Sequence, residues 1–160
     1  MATRASQAPP VWTFEEHEHR ELERGLNRLH DLACEVGHRP TPELSLEVLD
    51  MLRWLDQVFE PHIAWEEGWL YPEIDARVGT SWATRGPRFD HHQIREMVEH
   101  VRVDQLGLAS HGPSDRTEEL RGHLFGLEAL VRAHVEREER FLIPILDEDA
   151  QPHTADRPSQ

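Results

Sequence analysis

Apolar side chains recur along this chain at three- and four-residue steps in four separate stretches, and no stretch alternates as a strand would. Phe14, Leu22, Leu26, Leu29 and Leu32 mark a helix from about Thr13 to about Val36. Gly37 and the segment Arg39-Pro40-Thr41-Pro42 end it and start a second helix. That helix carries Leu44, Val48, Met51, Leu52, Leu55, Val58 and Phe59 and ends near Arg77. Pro61 lies inside it and should kink it or loosen one turn. Residues 78–87, with Gly79, Gly86 and Pro87, read as a loop. A third helix runs from about Arg88 to Leu108 with Ile94, Val98 and Val101 inward. After Gly112-Pro113-Ser114, a fourth spans about Asp115 to Leu146, led by Leu120, Leu124, Leu127 and Leu130. The expectation is an all-α, antiparallel up-down-up-down four-helix bundle. Residues 1–11 are expected as a disordered lead, 12–148 as the bundle and 149–160 as a disordered tail.

The second and fourth helices carry the same thirteen-residue pattern, H-[IV]-x-x-E-E-x-x-L-x-P-x-[IL], beginning at His62 and again at His134. A smaller motif, [DE]-H-x-x-[LI], occurs around His19 and His91 on the first and third helices. Both repeats are offset by 72 residues, so the chain holds an internal duplication with pseudo-two-fold character. Ligands brought to one level by antiparallel neighbours must lie equally far from the turn between them. The midpoints between successive motifs fall near Thr41, Arg77–Val78 and Pro113–Ser114, on or beside the breaks already marked by Pro and Gly. One layer of the bundle therefore receives His19, His62, Glu66, His91, His134 and Glu138. The layer is off-centre, about 20 Å from the second turn and about 33 Å from the other two at 1.5 Å rise per residue.

A His and a Glu four residues apart project from one helix face. Imidazole and carboxylate without thiolate suit iron, manganese or zinc. Six such groups could crowd one octahedral ion. The symmetry points to two, each with two histidines and with the glutamates as bridges. Six ionisable groups buried together without a cation would be costly, which weighs against reading them as hydrogen-bonded core residues or surface pairs.

Glu67 and Glu139 flank the ligand glutamates and could accept histidine N–H groups or simply face water. Glu23 and Arg95, each four residues after a ligand histidine, could form an inward ion pair, supply a seventh ligand, or reach out to solvent. His30 and His123 are read as polar residues far from the layer, and His17, His38, His92, His100, His111 and His153 as solvated. Trp54, Trp65 and Trp69 are read as packing. Tyr71 lies half a helical turn off the ligand face and is given no role.

Composition narrows the class. In 160 residues, 31 acidic against 17 basic side chains give a formal charge of −14, which disfavours nucleic acid and anionic membranes as partners. The single cysteine, Cys34, cannot form an internal disulfide, and no apolar run could span a bilayer. A cytoplasmic location is expected, and the oligomeric state, a homodimer included, stays open.

A single histidine on helices one and three, with H-x3-E-E-x2-L-x-P on helices two and four, resembles the hemerythrin-like (HHE cation-binding) family over residues 13–147. The resemblance implies a non-haem di-iron centre with oxo or hydroxo and carboxylate bridges, and two irons held by His19, His62, Glu66, His91, His134 and Glu138. Oxygen-carrying hemerythrins have a further histidine where this chain has Arg95, and an aspartate one residue beyond Glu138. Loss of the fifth histidine counts against reversible oxygen carriage. The near-symmetric site is similar to the H-HxxxE-H-HxxxE bacterial subset, associated with peroxide breakdown and with nitric oxide or oxygen sensing. Ferritin-like bundles use Glu-x-x-His and fit less well. The expected ligand is a peroxide or a small diatomic molecule. A catalase- or peroxidase-like oxidoreductase and a non-enzymatic sensor or iron-binding module, acting through a partner, both remain open.

Overall fold

A computed structural model describes the backbone of residues 11–111 and 116–147, and the side chains of 20–108 and 117–146. All of the expected lead but Val11, which begins a helix, the whole of the expected tail, residues 112–115 and the side chain of His19 lie outside the described residues. The described residues are helical apart from short connections at 36–40 and 79–81. α1 is Val11–Glu35, α2 spans residues 41–78, α3 is Trp82–His111 and α4 spans residues 116–147. α3 packs along both α2 and α4, and α1 packs on α4, closing an antiparallel four-helix bundle. No helix among the described residues is long and apolar enough to cross a membrane.

The interior is built from the residues the three- and four-residue spacing singled out. Leu22, Leu26, Leu29 and Leu32 of α1 meet Leu44, Val48, Met51 and Leu55 of α2, Ile94 and Val101 of α3, and Leu120, Leu124 and Leu127 of α4. Val98 and Leu130, expected inward, are half-buried, and Val131 takes the inner position on α4. A second, smaller apolar cluster of Leu70, Tyr71, Ile74 and Leu142 closes the opposite end. The buried histidines and glutamates lie between the two clusters.

Left-handed glycines end the connections. Gly79, at φ 72°, caps α2, and its N–H and that of Thr80 both bond the Asp75 carbonyl. Gly37, at φ 88°, follows α1, and the His38 N–H bonds the Glu35 carbonyl at 2.9 Å. The loop expected at 78–87 is shorter than its Gly and Pro content suggested, because α3 already begins at Trp82. Gly86 and Pro87 lie inside that helix, and Pro87, its sixth residue, withholds one N–H from the carbonyl of Ala83. Thr84, buried, donates to Asp75 at 2.8 Å and pins the new helix to the end of α2.

Three π-turns interrupt the described helices, at Leu55–Phe59, Glu66–Leu70 and Glu138–Leu142. Each closes with the N–H of Glu60, Tyr71 or Ile143 bonding the carbonyl five residues back. Each of those donors directly precedes a proline: Pro61, Pro72 or Pro144. A proline cannot donate to the carbonyl four residues back, and its ring collides with it. Admitting one extra residue into the turn moves that carbonyl aside. Pro61 thus loosens one turn, as expected. Where α4 has Ala133 at the matching position, the helix Arg116–Arg137 runs unbroken.

Gly25 of α1 lies under the indole of Trp54, and a Cβ built there would sit 1.9 Å from Trp54 Cζ2. Gly25→Ala gains helix propensity of about 1 kcal/mol but overpacks at a cost of about 1–3 kcal/mol. A net destabilisation is expected in urea unfolding, and an unchanged or raised midpoint would contradict the contact.

Candidate metal centre

α2, α3 and α4 bring five of the six expected ligands into one buried layer. His62, Glu66, His91, His134 and Glu138 are each at most 4% exposed. His19 lies on α1, with its side chain outside the described residues. The five group into two sets that share Glu66: Glu66 with His91 and His134, and Glu66 with His62 and Glu138. Within each set the ligand atoms lie within 4.8 Å of one another. His91 Nε2 is 3.2 Å from His134 Nε2 and 3.0 Å from Glu66 Oε2, and His62 Nε2 is 2.6 Å from Glu66 Oε1.

These approaches fit a cation better than protons. Both Glu66 oxygens are buried, yet neither is in hydrogen-bonding geometry with a donor despite the close histidines. The second nitrogen of His91 is spoken for, since Nδ1 donates to Glu67 Oε1 at 2.8 Å and leaves Nε2 as a lone pair facing the layer. His134 Nδ1 has a carboxylate at longer range, Asp90 Oδ2 at 3.8 Å, which also pairs with Arg137.

The electrostatics diverge between the two carboxylates. Burial pushes Glu66 up, but His134, His62 and His91 outweigh it and hold its carboxyl well below the usual range. Burial and the neighbouring Glu66 charge push Glu138 above its ordinary value. Burial lowers His134, but Glu66 and Glu138 outweigh that effect and raise it. Two carboxylates at odds over one set of imidazoles is the arrangement a divalent ion resolves.

A family model described as the hemerythrin HHE cation-binding domain matches residues 12–146. The chain belongs to that family. Neither curated proteins nor solved structures yielded a match.

Around the shared ligand plan, this hemerythrin-like domain has surroundings of its own. Glu67 accepts from His91 and pairs with Arg95 at 3.0 Å, so it is an outer partner of the layer rather than a solvated flank. Arg95 takes Glu60 as well, at 2.7 Å. The inward Glu23–Arg95 pair does not form, and Glu23 is exposed. The reason lies in the packing: α3 lies against α2, so Arg95 finds the α2 carboxylates, while Glu23 sits across the bundle on α1. Glu139 is exposed. Trp65 stacks on Trp69 at 5.3 Å between ring centres and lies 6.5 Å from His62, shielding that imidazole.

Tyr71 is the residue the periodicity missed. In a regular helix, five residues after Glu66 means roughly 140° around the axis. The π-turn Glu66–Leu70 instead sets Tyr71 one full turn above Glu66. Its fully buried hydroxyl donates to Glu138 Oε1 at 2.5 Å and lies 3.1 Å from His91 Nε2. Burial and the two glutamates raise the phenol's pKa, keeping it a donor. The signal was Pro72, one residue beyond. Ile143 stands at the corresponding place in the other half, so the duplication is broken here.

Proposed function

We propose that His62, Glu66, His91, His134 and Glu138, together with His19, would hold two iron ions, and that the loaded site would react with peroxide, dioxygen or nitric oxide. The observation that carries the reading is the pair of ligand sets sharing one carboxylate. One of them, Glu66 with His91 and His134, is a two-histidine, one-carboxylate set, a donor combination that suits non-haem iron and leaves positions open. When bound, iron supplies one-electron redox chemistry and polarises a coordinated oxygen or nitrogen.

The chain's own part is positioning and exclusion. Glu67 fixes the ring of His91 through its Nδ1–H and so directs Nε2 into the layer. Tyr71 holds Glu138 and offers a hydroxyl beside the ligand nitrogens, where an incoming peroxide or diatomic molecule needs a polar partner. Ile63 and Ile94 on one side, and Leu70, Ile74 and Leu142 on the other, keep bulk water from both faces of the layer.

The test is elemental analysis of protein from iron-replete growth, followed by optical spectra and consumption assays with hydrogen peroxide and nitric oxide. About two irons per chain and a spectrum that responds to either ligand support the proposal. Zinc at one per chain, or two irons with no response to peroxide, oxygen or nitric oxide, would overturn it. Spectral response without turnover would place the protein with sensors or binding modules rather than enzymes.

A further inference from the structure

His100, which helical phase turns away from the layer, and His123, which lies far from the layer along its helix, meet across the α3–α4 interface. His100 Nδ1 is 3.4 Å from His123 Nε2, with ring centres 4.9 Å apart and planes at 79°. His123 Nδ1 is 2.6 Å from Oδ2 of Asp104, a carboxylate only 5% exposed. A buried carboxylate draws the imidazole proton to Nδ1, which fixes the tautomer and leaves the Nε2 lone pair aimed at His100. The separation is at the long end of the range for an N–H···N hydrogen bond between the two rings. It matches two nitrogens on one tetrahedral ion, since bonds of about 2.0–2.1 Å at a tetrahedral angle hold them about 3.3–3.4 Å apart.

We propose that His100 and His123 form a second metal site, separate from the hemerythrin layer, that takes a divalent transition ion of the zinc class, with Asp104 positioning His123 and water completing the coordination. The site lies about 13 Å along α3 from His91 and about 16 Å along α4 from His134, too far to share an ion with the layer. His100 is exposed and His123 half-buried, so an ion reaches them from solvent. The formal charge of −14 raises the local concentration of cations around the chain. Carboxylate–histidine–metal relays are the usual way an outer carboxylate orients a ligand, and the Asp104–His123 pair is already in that form without any ion.

The experiment is a zinc titration of the full-length protein after iron loading, with both metals quantified per chain after dialysis. Wild type is expected to retain one zinc beyond its iron, and His100→Ala and His123→Ala to lose that zinc with iron content unchanged. Asp104→Asn is expected to weaken zinc binding by about 10–100-fold. His100→Ala removes an exposed side chain, so its fold is expected to persist, and circular dichroism checks it. Cobalt substitution gives an independent readout: intense visible bands of a tetrahedral ion, present in wild type and absent in His100→Ala. The proposal is overturned if zinc uptake is matched by iron loss, if no additional zinc is retained, or if the extra zinc survives in His100→Ala. A chain that takes no iron still decides the question, because the comparison is between wild type and His100→Ala at equal zinc.

Discussion

His134→Ala is expected to strip the layer of metal and, with it, the stabilisation that metal confers. His134 sits in one ligand set, faces Glu66 at 3.7 Å and Glu138 at 3.5 Å, and is fully buried. Its loss leaves the Glu66–His91 set one ligand short and exposes the two glutamates to each other's charge. Outer carboxylates alone change metal affinity by about 10–100-fold, so removing a ligand should do more. A cation present at about a thousand times its dissociation constant adds about 4 kcal/mol of stability. At this chain length each kcal/mol is about 2–4 °C in midpoint. Wild type should therefore melt about 8–16 °C higher with metal than without, and the variant should show almost no difference. Differential scanning calorimetry with and without iron, beside elemental analysis, reads both effects. A variant that keeps its metal and its shift would remove His134 from the site.

Tyr71→Phe should act in the opposite condition, the metal-free protein. There Glu138 is a buried carboxyl held by the Tyr71 hydroxyl at 2.5 Å. Deleting the hydroxyl leaves a buried polar atom short of a donor, at a cost of about 1–3 kcal/mol. The metal-free midpoint should fall by about 2–12 °C. With metal bound, the cation takes over the neutralisation of Glu138, and the fall should shrink. A loss of equal size in both forms would mean that Tyr71 contributes packing alone. No loss in the metal-free form would mean that its hydrogen bond is without net value.

Much of this was legible in the sequence because it depends on repetition. Apolar spacing marked four helices, and the 72-residue offset placed the histidines and glutamates at one level. The five whose side chains are described do meet there, buried between two apolar clusters. What was not legible depends on departures from the ideal helix or on contacts between helices. The assignment of Tyr71 to an outer face assumed uniform 100° steps, and the extra residue ahead of Pro72 cancels that assumption. Pro61 was read as a disturbance because it lacks a counterpart, whereas Pro72 and Pro144 passed as part of a motif although they do the same thing. Glu67 and Asp90 could be ranked only once α2, α3 and α4 were docked, because their partners lie on neighbouring helices. Helical phase on a single helix turns His100 away from the layer and puts His123 on the ligand face but about 16 Å along the axis from it. Their meeting is a property of the α3–α4 interface, which no periodicity on one strand of the repeat contains.

The eccentric position of the layer has a consequence for how the molecule comes apart. Most of the apolar interior lies on one side, from Leu22 to Val36 and from Leu44 to Phe59, and it closes without any ionisable group of the ligand set. The other side, from Leu70 to Ile74 and around Leu142, is a smaller cluster among the described residues, with Trp65, Ala83, Ile145 and Leu146 packed against it. Between them stands a stratum of buried histidines and glutamates whose charges a bound cation would reconcile. The layer thus divides the chain into a larger apolar stem and a smaller tip, and the closure of the tip is expected to depend on the metal. Amide protection should therefore divide at the ligand stratum, with the end of α2 and the start of α3 exchanging first when metal is scarce while the stem stays closed.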